Sequence, residues 1–425
     1  MTTQRAIRWP WPMASVCLVV AGLLATSCAR TAPTDPGPSP VDIEPPDSVP
    51  LVDSLVVRDT MPVADLPPVP DVPAPEAEPP ETITVAVRDL RVCAGGDVML
   101  GNNLDTLWVV RAGTRLGWAV QAFPDPDALL APLRPLVEDA QVVLLNIEGA
   151  IGEGPAPTKC RLGSQTCYAF RQQPGTAEAL RRLAPGEVVG NVANNHALDA
   201  GRVGWDATVR HLGLAGVYVT GYDTLPTVVE TVGGDTVAFL GFSSAQAGPD
   251  PRDLLGVRRH VTRAAVRYPR LIVTMHMGAE GRDAQRTPSE AEYYLGENRG
   301  NAVAFARAAV ESGASAVFGH GPHVMRAAEW YQDALIFYSL GNLLTYGPFS
   351  LVEPLNRGGV ACVVLDPAGR VKDAVLRSTW QRPPGLITPD RSQRAAWLVD
   401  SLSALDFPTS APRFFGEVVL KTPGR

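Results

Sequence analysis

Short apolar runs that alternate with helical patterns limit most strongly what this chain can fold into. From Thr82 onward, runs of strand length alternate with segments whose apolar residues recur at helical spacing. The predicted strands are 83–87, 91–94, 142–145, 187–192, 237–241, 271–275, 316–318, 335–338, 360–365 and 414–420, and the predicted helices are 127–139, 177–183, 203–212, 289–297, 302–312 and 392–405. This alternation predicts a layered α/β fold.

Two of these helices carry end signals. Thr287 followed by Pro288 and Glu290 is the pattern of a capped helix start, so a helix is expected from Ser289. Gly313 stands where a glycine would end the helix at 302–312.

The composition is that of a globular protein, with 45% hydrophobic residues and a net charge of −7. No long basic run is present, which argues against nucleic acid as a partner.

The first 28 residues have the order of an export signal. Arg5 and Arg8 precede an apolar stretch at 13–26, and small residues lead to Cys28. The ending resembles a bacterial lipoprotein signal, so we expect Cys28 to be lipidated and to anchor an exported protein in the cell envelope membrane. An uncleaved membrane anchor and a plain signal cut near Ala29 are the alternatives.

Residues 29–81 are rich in proline and acidic residues and show no sustained period. Such a segment cannot bury enough apolar surface to fold, so it is expected to be a disordered, extended linker. Its one apolar patch, 51–57, is interpreted as a short strand or a docking peptide.

Cysteine positions suggest one disulfide. Cys160 and Cys167 flank a short loop and could form a disulfide if the domain is exported. Cys93 and Cys362 lie in strand runs and are expected to be buried small hydrophobic residues. No Cys-x-x-Cys pair occurs, which argues against a structural zinc ribbon.

Polar segments follow five of the apolar runs, at the point where each predicted strand ends. In α/β sheets this edge is where functional groups collect. The polar residues are Asp97, Asn146, Glu148, Asn194, Asn195, His196, Asp199, His276, Glu280, His320 and His323.

Each polar segment alone has an ordinary explanation, such as a turn, a helix cap or a core histidine. Five in succession are better explained by one shared metal site. Carboxylate, amide and imidazole ligands without thiolate favour Mn²⁺, Fe or Zn²⁺, and the set is large enough for one or two ions. Asp199, three residues after His196, is placed to orient its imidazole.

The same segments resemble the CapA family, bacterial poly-γ-glutamate capsule biosynthesis proteins with a calcineurin-like metallophosphatase fold. The matching segments are 95–99, 146–148, 194–201, 276–280, 319–324 and 338–342, and the resemblance covers about residues 92–364.

The resemblance implies a four-layer α/β/β/α sandwich of the metallo-dependent phosphatase type, with the metal site at the strand ends. By analogy, the ligands would be Asp97, Glu148, Asn195, His276, His320 and His323. His196 would be the general acid or substrate-polarising group, with Asp199 as its orienting partner. Residues that support the ligands or fix loops would be Asn146, Asn194, Glu280, Glu329, Ser339 and Asn342.

Two departures from the phosphatase pattern stand out. Met99 occupies the place of the histidine in the usual Asp-x-His, so one metal position is expected to be weak. Met277 and Gly281 stand where aromatic residues are usual, which affects the expected substrate contacts.

The predicted organisation is a signal at 1–28, a linker at 29–81, a metallophosphatase-type domain at 82–380 and a C-terminal extension at 381–425 that packs on it. The resemblance implies a metal-dependent hydrolase that attacks a phosphoester or amide bond of an anionic cell-surface polymer, with capsule synthase membrane subunits as partners. The alternatives are a non-catalytic polymer-binding or scaffold subunit of a capsule synthesis or export complex, and a periplasmic solute-binding module.

Overall fold

The computed structural model of the chain describes residues 88–102, 106–155, 160 and 167–421. The predicted signal with Cys28, the predicted linker at 29–81 and the predicted strand at 83–87 lie outside the described residues. The described residues belong to one folded unit, Pro80–Arg425.

The described residues form twenty strands, seven α-helices and one 3-10 helix. The strands are β1 Leu90–Met99, β2 Val142–Ile147, β3 Ala150–Ile151, β4 Arg171–Gln172, β5 Glu187–Asn191, β6 Tyr218–Thr220, β7 Thr227–Glu230, β8 Thr236–Ser243, β9 Leu271–His276, β10 Glu292–Tyr294, β11 Glu297–Gly300, β12 Ala316–His320, β13 Ala328–Tyr331, β14 Ala334–Phe337, β15 Asn342–Thr345, β16 Arg357–Leu365, β17 Val371–Arg382, β18 Leu386–Pro389, β19 Arg413–Phe415 and β20 Val418–Leu420. The helices are α1 Thr106–Leu116, α2 Pro126–Leu130, the 3-10 helix Ala131–Leu136, α3 Gly175–Arg181, α4 Gly201–Leu214, α5 Leu254–Ala265, α6 Ala302–Glu311 and α7 Arg394–Asp406.

The larger of the two main sheets has ten strands. Its path runs β19-β20-β17-β16-β1-β2-β5-β6, with β15 also beside β1 and β18 beside β17. Strands β1, β2, β5 and β6 are parallel, so their carboxyl ends meet at one edge. Strands β16 and β17 extend the sheet in antiparallel fashion.

The smaller main sheet has six strands in the order β13-β14-β12-β9-β8-β7. Strands β8, β9, β12 and β14 are parallel, and the two outer strands, β7 and β13, are antiparallel to their neighbours. The carboxyl ends of its central strands therefore also lie together at one edge.

The two sheets pack face to face, and helices cover their outer faces. One buried cluster lies between the sheets, where Val92 of β1 and Phe318 of β12 both belong. A second cluster joins the larger sheet to α3 through Leu180, and a third joins the smaller sheet to α6 through Phe305. The layers follow the order helix, sheet, sheet, helix, which confirms the predicted four-layer α/β/β/α sandwich.

Side-chain caps start several helices. Asp125 Oδ1 accepts from the Asp127 N–H at 3.0 Å, and Asn301 Oδ1 accepts from the Ala304 N–H at 2.8 Å. Gly313, with φ 108°, follows α6 as predicted. No helix among the described residues has the length and apolar character needed to cross a bilayer.

The helix predicted at 289–297 is wrong, because this segment is a hairpin of β10 and β11. Leu295 and Gly296 both adopt positive φ, at 50° and 83°, and so form the turn between the strands. Tertiary contacts hold the segment extended: Arg326 pairs with Glu292 at 2.7 Å, and Asp406 Oδ2 accepts from the Thr287 N–H at 2.9 Å. These contacts override the local helix-start signal.

Prolines and glycines shorten two other predicted elements. The helix predicted at 127–139 is α2 followed by a 3-10 turn that contains Pro135. The strand predicted at 414–420 is the hairpin of β19 and β20, which turns at Gly416 with φ 61°. The helix predicted at 392–405 is α7, and its buried Ala396 and Val399 pack into the cluster between the sheets.

Two disulfides tie the domain. Cys160 and Cys167 are bonded, as expected for an exported domain. The prediction that Cys93 and Cys362 are unbonded core residues is wrong, because they face each other in the register of β1 and β16 and form a disulfide. Their separation of 269 residues gave no local sign of this pairing.

Candidate metal centre

Close backbone packing at the end of β1 positions the first carboxylate. Asp97 lies beside Asn146 of β2, where the register of β1 shifts. A Cβ at Gly96 would lie 2.0 Å from the Gly341 carbonyl oxygen, so only glycine allows this approach. The Asp97 N–H donates to the same carbonyl at 2.9 Å, which fixes the backbone that carries the Asp97 carboxylate.

The smaller sheet positions three histidines. His276 and His320 are aligned neighbours at the ends of β9 and β12. The chain then turns through Gly321, with φ 109°, and places His323 in the left-handed region at φ 60°. A non-glycine residue in this region is strained, and such strain persists where surrounding structure holds it, often at functional sites.

Glu148, which follows β2, lies at the centre of the cluster. Its Oε1 atom is 3.6 Å from His323 Nε2, 3.9 Å from His196 Nε2 and 4.0 Å from His276 Nε2. These separations exceed normal hydrogen-bond lengths. They suit atoms that share one cation, because ligands about 2.1 Å from an ion lie up to about 4.2 Å apart.

Asp97 lies beside His323 and brings His320 into the same cluster. Its carboxylate is 3.0 Å from His323 Nδ1 and 3.7 Å from His320 Nδ1. Asp97, Glu148 and His323 each offer one ligand atom, and these atoms lie within 4.8 Å of one another. The structure therefore brings together the residues predicted from both sheets.

Several buried oxygen and nitrogen atoms at the cluster have no hydrogen-bond partner, and this arrangement fits a bound cation. Among the described residues, these atoms have no hydrogen-bond partner: Glu148 Oε1, Asn195 Oδ1, His276 Nε2, His320 Nδ1 and His320 Nε2. A buried polar group left unpaired costs about 1–3 kcal/mol. One or two bound divalent ions would satisfy these atoms with oxygen and nitrogen ligands of a suitable kind.

Burial and neighbouring charges shift the pKa values of the ligand side chains. Burial lowers the pKa of His276 well below its usual value and that of His320 to about 4, which leaves both imidazoles neutral and able to bind a cation. Burial would raise the pKa of Asp97, but the hydrogen bond and charge of His323, with the other imidazoles, hold it well below the usual range.

The pKa values of Glu148 and His323 are both raised. Burial raises the pKa of Glu148 well above its usual value, and the charge of Asp97 adds to this effect. Burial would lower the pKa of His323, but the charges of Glu148 and Asp97 raise it well above its usual value. At neutral pH this buried pair therefore holds at least one proton.

A chain of amides holds the ligands in place. Asn146 Nδ2 donates to Asp97 Oδ1 at 2.8 Å and lies 3.2 Å from His276 Nδ1. Asn191 Nδ2 donates to Asn146 Oδ1 at 3.0 Å, and Asn194 Nδ2 donates to the Ile147 carbonyl at 2.8 Å. Asn191 was not predicted, although an asparagine in an apolar strand run is a usable signal.

His196 is held in a fixed orientation at the edge of the cluster. Its Nδ1 atom is 2.6 Å from Asp199 Oδ2, which also accepts from the Phe170 N–H at 2.7 Å. The rings of His196 and Phe170 have centroids 4.2 Å apart, and Phe349 lies 5.6 Å from Phe170. With Nδ1 bound to Asp199, the Nε2 atom faces Glu148. Sequence reasoning missed Phe170, which has no distinguishing local pattern.

Asn195 reaches the cluster through Glu280. Its Nδ2 atom donates to Glu280 Oε1 at 3.2 Å, and Arg299 Nη1 lies 2.9 Å from the same oxygen. Glu280 Oε2 is 3.8 Å from His323 Nε2. Arg299 was also missed, because it lies between the predicted helices 289–297 and 302–312 and belongs to none of the polar segments that follow strands.

Two other predicted supporting residues lie beside the ligands. Asn342 Oδ1 is 3.1 Å from His323 Nδ1, and its Nδ2 donates to the Leu355 carbonyl at 3.0 Å. Ser339 Oγ accepts from the Gly341 N–H at 3.2 Å and so fixes the loop that binds Asp97.

Glu329, predicted to support the ligands or fix a loop, makes the contacts of the second kind. This buried carboxylate pairs with Arg307 at 2.6 Å and accepts from the hydroxyls of Tyr338 and Ser410, each at 2.7 Å. It therefore joins β13 to α6 and to the C-terminal region. Its position near the His320 segment in sequence did not indicate which side of the strand it occupies.

Met99 is buried, and its Sδ atom accepts from the Gly101 N–H at 3.2 Å. The thioether thus contacts the backbone of Gly101 and does not replace the histidine that is usual at this position.

The region that contains the site is similar in sequence to known proteins. The model of the family "Bacterial capsule synthesis protein PGA_cap" matches residues 91–346, which is more than half of the chain. "Capsule biosynthesis protein CapA" of Bacillus anthracis is 29% identical over 270 residues, or 59% of this chain and 58% of that protein. The chain therefore spans little more than half the length of this relative.

Two further similarities are more distant. "Probable polyglutamine synthesis accessory protein" of Mycobacterium tuberculosis is 27% identical over 62% of this chain and 75% of that protein. The structure of a 5'-nucleotidase precursor from Thermus thermophilus is similar at 13% identity over 76% of this chain and 60% of that chain, with a TM-score of 0.35.

The family match covers the segments that contribute Asp97, Glu148, Asn195, His276, His320 and His323. The resemblance to CapA is thereby confirmed, and this chain belongs to the bacterial capsule synthesis protein PGA_cap family.

Proposed function

We propose that this protein is a metal-dependent hydrolase that cleaves a phosphoester or amide bond in an anionic cell-surface polymer such as poly-γ-glutamate. The observation that carries the proposal is the convergence of buried, unpartnered oxygen and nitrogen atoms from two sheets beside an oriented His196–Asp199 pair.

The chain's own residues would hold one or two divalent ions, with Mn²⁺, Fe or Zn²⁺ as the best match to the ligand types. Bound ions would supply Lewis acidity toward a phosphoryl or acyl oxygen. Asp97 supplies negative charge, Glu148 would supply more once a cation displaces its proton, and neutral His276 and His320 supply nitrogen lone pairs. Glu148, whose Oε1 lies within 4.0 Å of three histidine nitrogens, would be among the residues that hold such ions.

His196 is suited to donate a proton to the leaving group. Asp199 accepts from the Nδ1–H of its ring and so stabilises the charged form, while Nε2 faces the centre. Phe170 packs on the ring and limits the positions it can adopt. The imidazole, its orienting carboxylate and the ring packed on it are the parts expected of a general acid.

The cellular setting of the proposed function is an exported, lipid-anchored protein of the bacterial cell envelope. Both cysteine pairs of the described domain are disulfide-bonded, which is usual in an oxidising compartment. Names of relatives refer to capsule and polyglutamine synthesis, which supports a polymer of the capsule as ligand and capsule synthase membrane subunits as partners.

The test is hydrolysis by the full chain loaded with Mn²⁺, using bis(p-nitrophenyl) phosphate and a γ-linked glutamate oligomer as substrates. We expect turnover of at least one of them, and we expect chelation to abolish it. His196→Ala should lose turnover and keep its bound Mn²⁺. A folded chain that binds no divalent ion would contradict the proposal.

A second candidate is a non-catalytic subunit that binds polymer or acts as a scaffold in capsule synthesis. The observation that favours it is Met99, which leaves the first segment without the usual histidine. The word "accessory" in the name of one relative is consistent with this role. If His196→Ala leaves capsule production unchanged in cells at normal protein levels, the binding role is favoured.

A further inference from the structure

Asp97, Glu148 and His323 each offer one ligand atom, and these three atoms lie within 4.8 Å of one another. Divalent ions of this class take four or more ligands. Met99 does not supply the fourth, because its sulfur accepts from the Gly101 N–H. Besides the predicted ligands Asn195, His276 and His320, a further carboxylate ligand would come from a loop that reaches the same three residues.

Glu280 reaches them from the loop after β9. Its side chain is only 11% exposed, and its Oε2 atom lies 3.8 Å from His323 Nε2. His323 Nε2 is in turn 3.6 Å from Glu148 Oε1. Both spacings are too long for hydrogen bonds and match the separation of two ligands on one ion.

The other oxygen of Glu280 is already occupied. Oε1 lies 2.9 Å from Arg299 Nη1 and accepts from Asn195 Nδ2 at 3.2 Å. Arg299 is buried at 5% exposure, so this half of the carboxylate is firmly held. Such outer contacts orient a carboxylate ligand and leave its second oxygen directed at the ion.

We propose that Glu280 is itself a ligand, through Oε2, of the cation held by Asp97, Glu148 and His323. It supplies the contact that Met99 cannot make, and Arg299 and Asn195 position it. This inference rests on the proposed metal-dependent function and assigns one more residue to the same centre.

The test is Mn²⁺ binding by the full chain, counted by electron paramagnetic resonance and titrated by calorimetry. Glu280→Gln should weaken one class of Mn²⁺ site by more than the roughly 10–100-fold loss typical of a residue that only orients ligands. A second class of site should keep its affinity. Glu280→Asp, which retains the charge beside Arg299 with a shorter reach, should show a partial loss at the same class.

The matched control is Glu297→Gln. Glu297 pairs with the same arginine, at 3.2 Å from Arg299 Nε, but its side chain is 69% exposed. This variant should bind Mn²⁺ as the wild type does. Thermal unfolding of each metal-free variant shows whether it is folded.

The outcomes separate this inference from the proposed function. Wild-type stoichiometry and affinity in folded Glu280→Gln would overturn the inference and leave Glu280 as a partner of Arg299 alone. Loss of all Mn²⁺ from the folded variant would also overturn it, because Glu280 would then support the whole centre. A wild-type chain that binds no Mn²⁺ would overturn the proposed function as well.

Discussion

The two sheets contribute different chemistry to the candidate centre. The larger sheet supplies the oxygen atoms of Asp97 in β1 and of Glu148 and Asn195 after β2 and β5, whereas the smaller sheet supplies the nitrogens of His276, His320 and His323 and the carboxylate of Glu280. Neither sheet alone carries the full set. The centre therefore depends on the packing between the sheets, and each half can be tested separately.

The largest effect is expected from the oxygen half. Asp97→Ala should reduce Mn²⁺ affinity by more than roughly 100-fold, because Asp97 contacts both His320 and His323 and holds Asn146. The measurement is metal content after dialysis. Asp89→Asn is the control, since Asp89 precedes the same strand and pairs with the exposed Lys372. Retained metal in Asp97→Ala would show that the other ligands suffice without Asp97.

Changing His196 should separate proton transfer from metal binding. His196→Ala should reduce turnover by about 10²–10⁴-fold and keep the bound metal, because a positioned general acid contributes about that much. The control is His211→Ala, whose ring pairs with Glu153 on the surface of α4. Equal loss of metal and turnover in His196→Ala would mean that His196 is a ligand instead.

Weakening the contact between the sheets should affect both halves. Phe318→Ala removes a fully buried ring that stacks on Phe337 at 6.0 Å, so the free energy of unfolding should fall by about 3–5 kcal/mol. Urea denaturation measures this change. Leu255→Ala, at a side chain that is 78% exposed, should have little effect. An unchanged midpoint for Phe318→Ala would contradict the role given to this interface.

The smallest effect is a proton released on metal binding. The buried Glu148–His323 pair has raised pKa values and holds at least one proton at neutral pH, which a cation must displace. Mn²⁺ affinity should therefore rise with pH near neutrality. Calorimetry in two buffers of different ionisation enthalpy should detect about one proton released. Binding without proton release would contradict the assignment of these two residues.

The sequence predicted the central architecture well, because buried parallel strands have continuous apolar runs. Strands β1, β2, β5, β9 and β12 and the polar residues at their ends were all recognisable. The order of these segments also identified the family. The spacing of apolar residues does not indicate which strands, far apart in the chain, become neighbours in a sheet.

The failures share that cause. Cys93 and Cys362 look like core residues until β1 and β16 align them. The helix-start signal at Thr287 is overridden by contacts with Arg326 and Asp406, and Arg299 reaches Glu280 only because the segment is a hairpin. The place of Glu329 in the chain likewise did not indicate that its partners come from α6 and the C-terminal region.

Crystals of the full chain soaked in Mn²⁺ and measured at a wavelength with anomalous signal would test the central claim most directly. We predict at least one strong anomalous peak within coordination distance of Asp97, Glu148 and His323, with any second peak beside His276 and His320. The absence of a peak at this cluster, or a peak only elsewhere on the protein, would contradict the account.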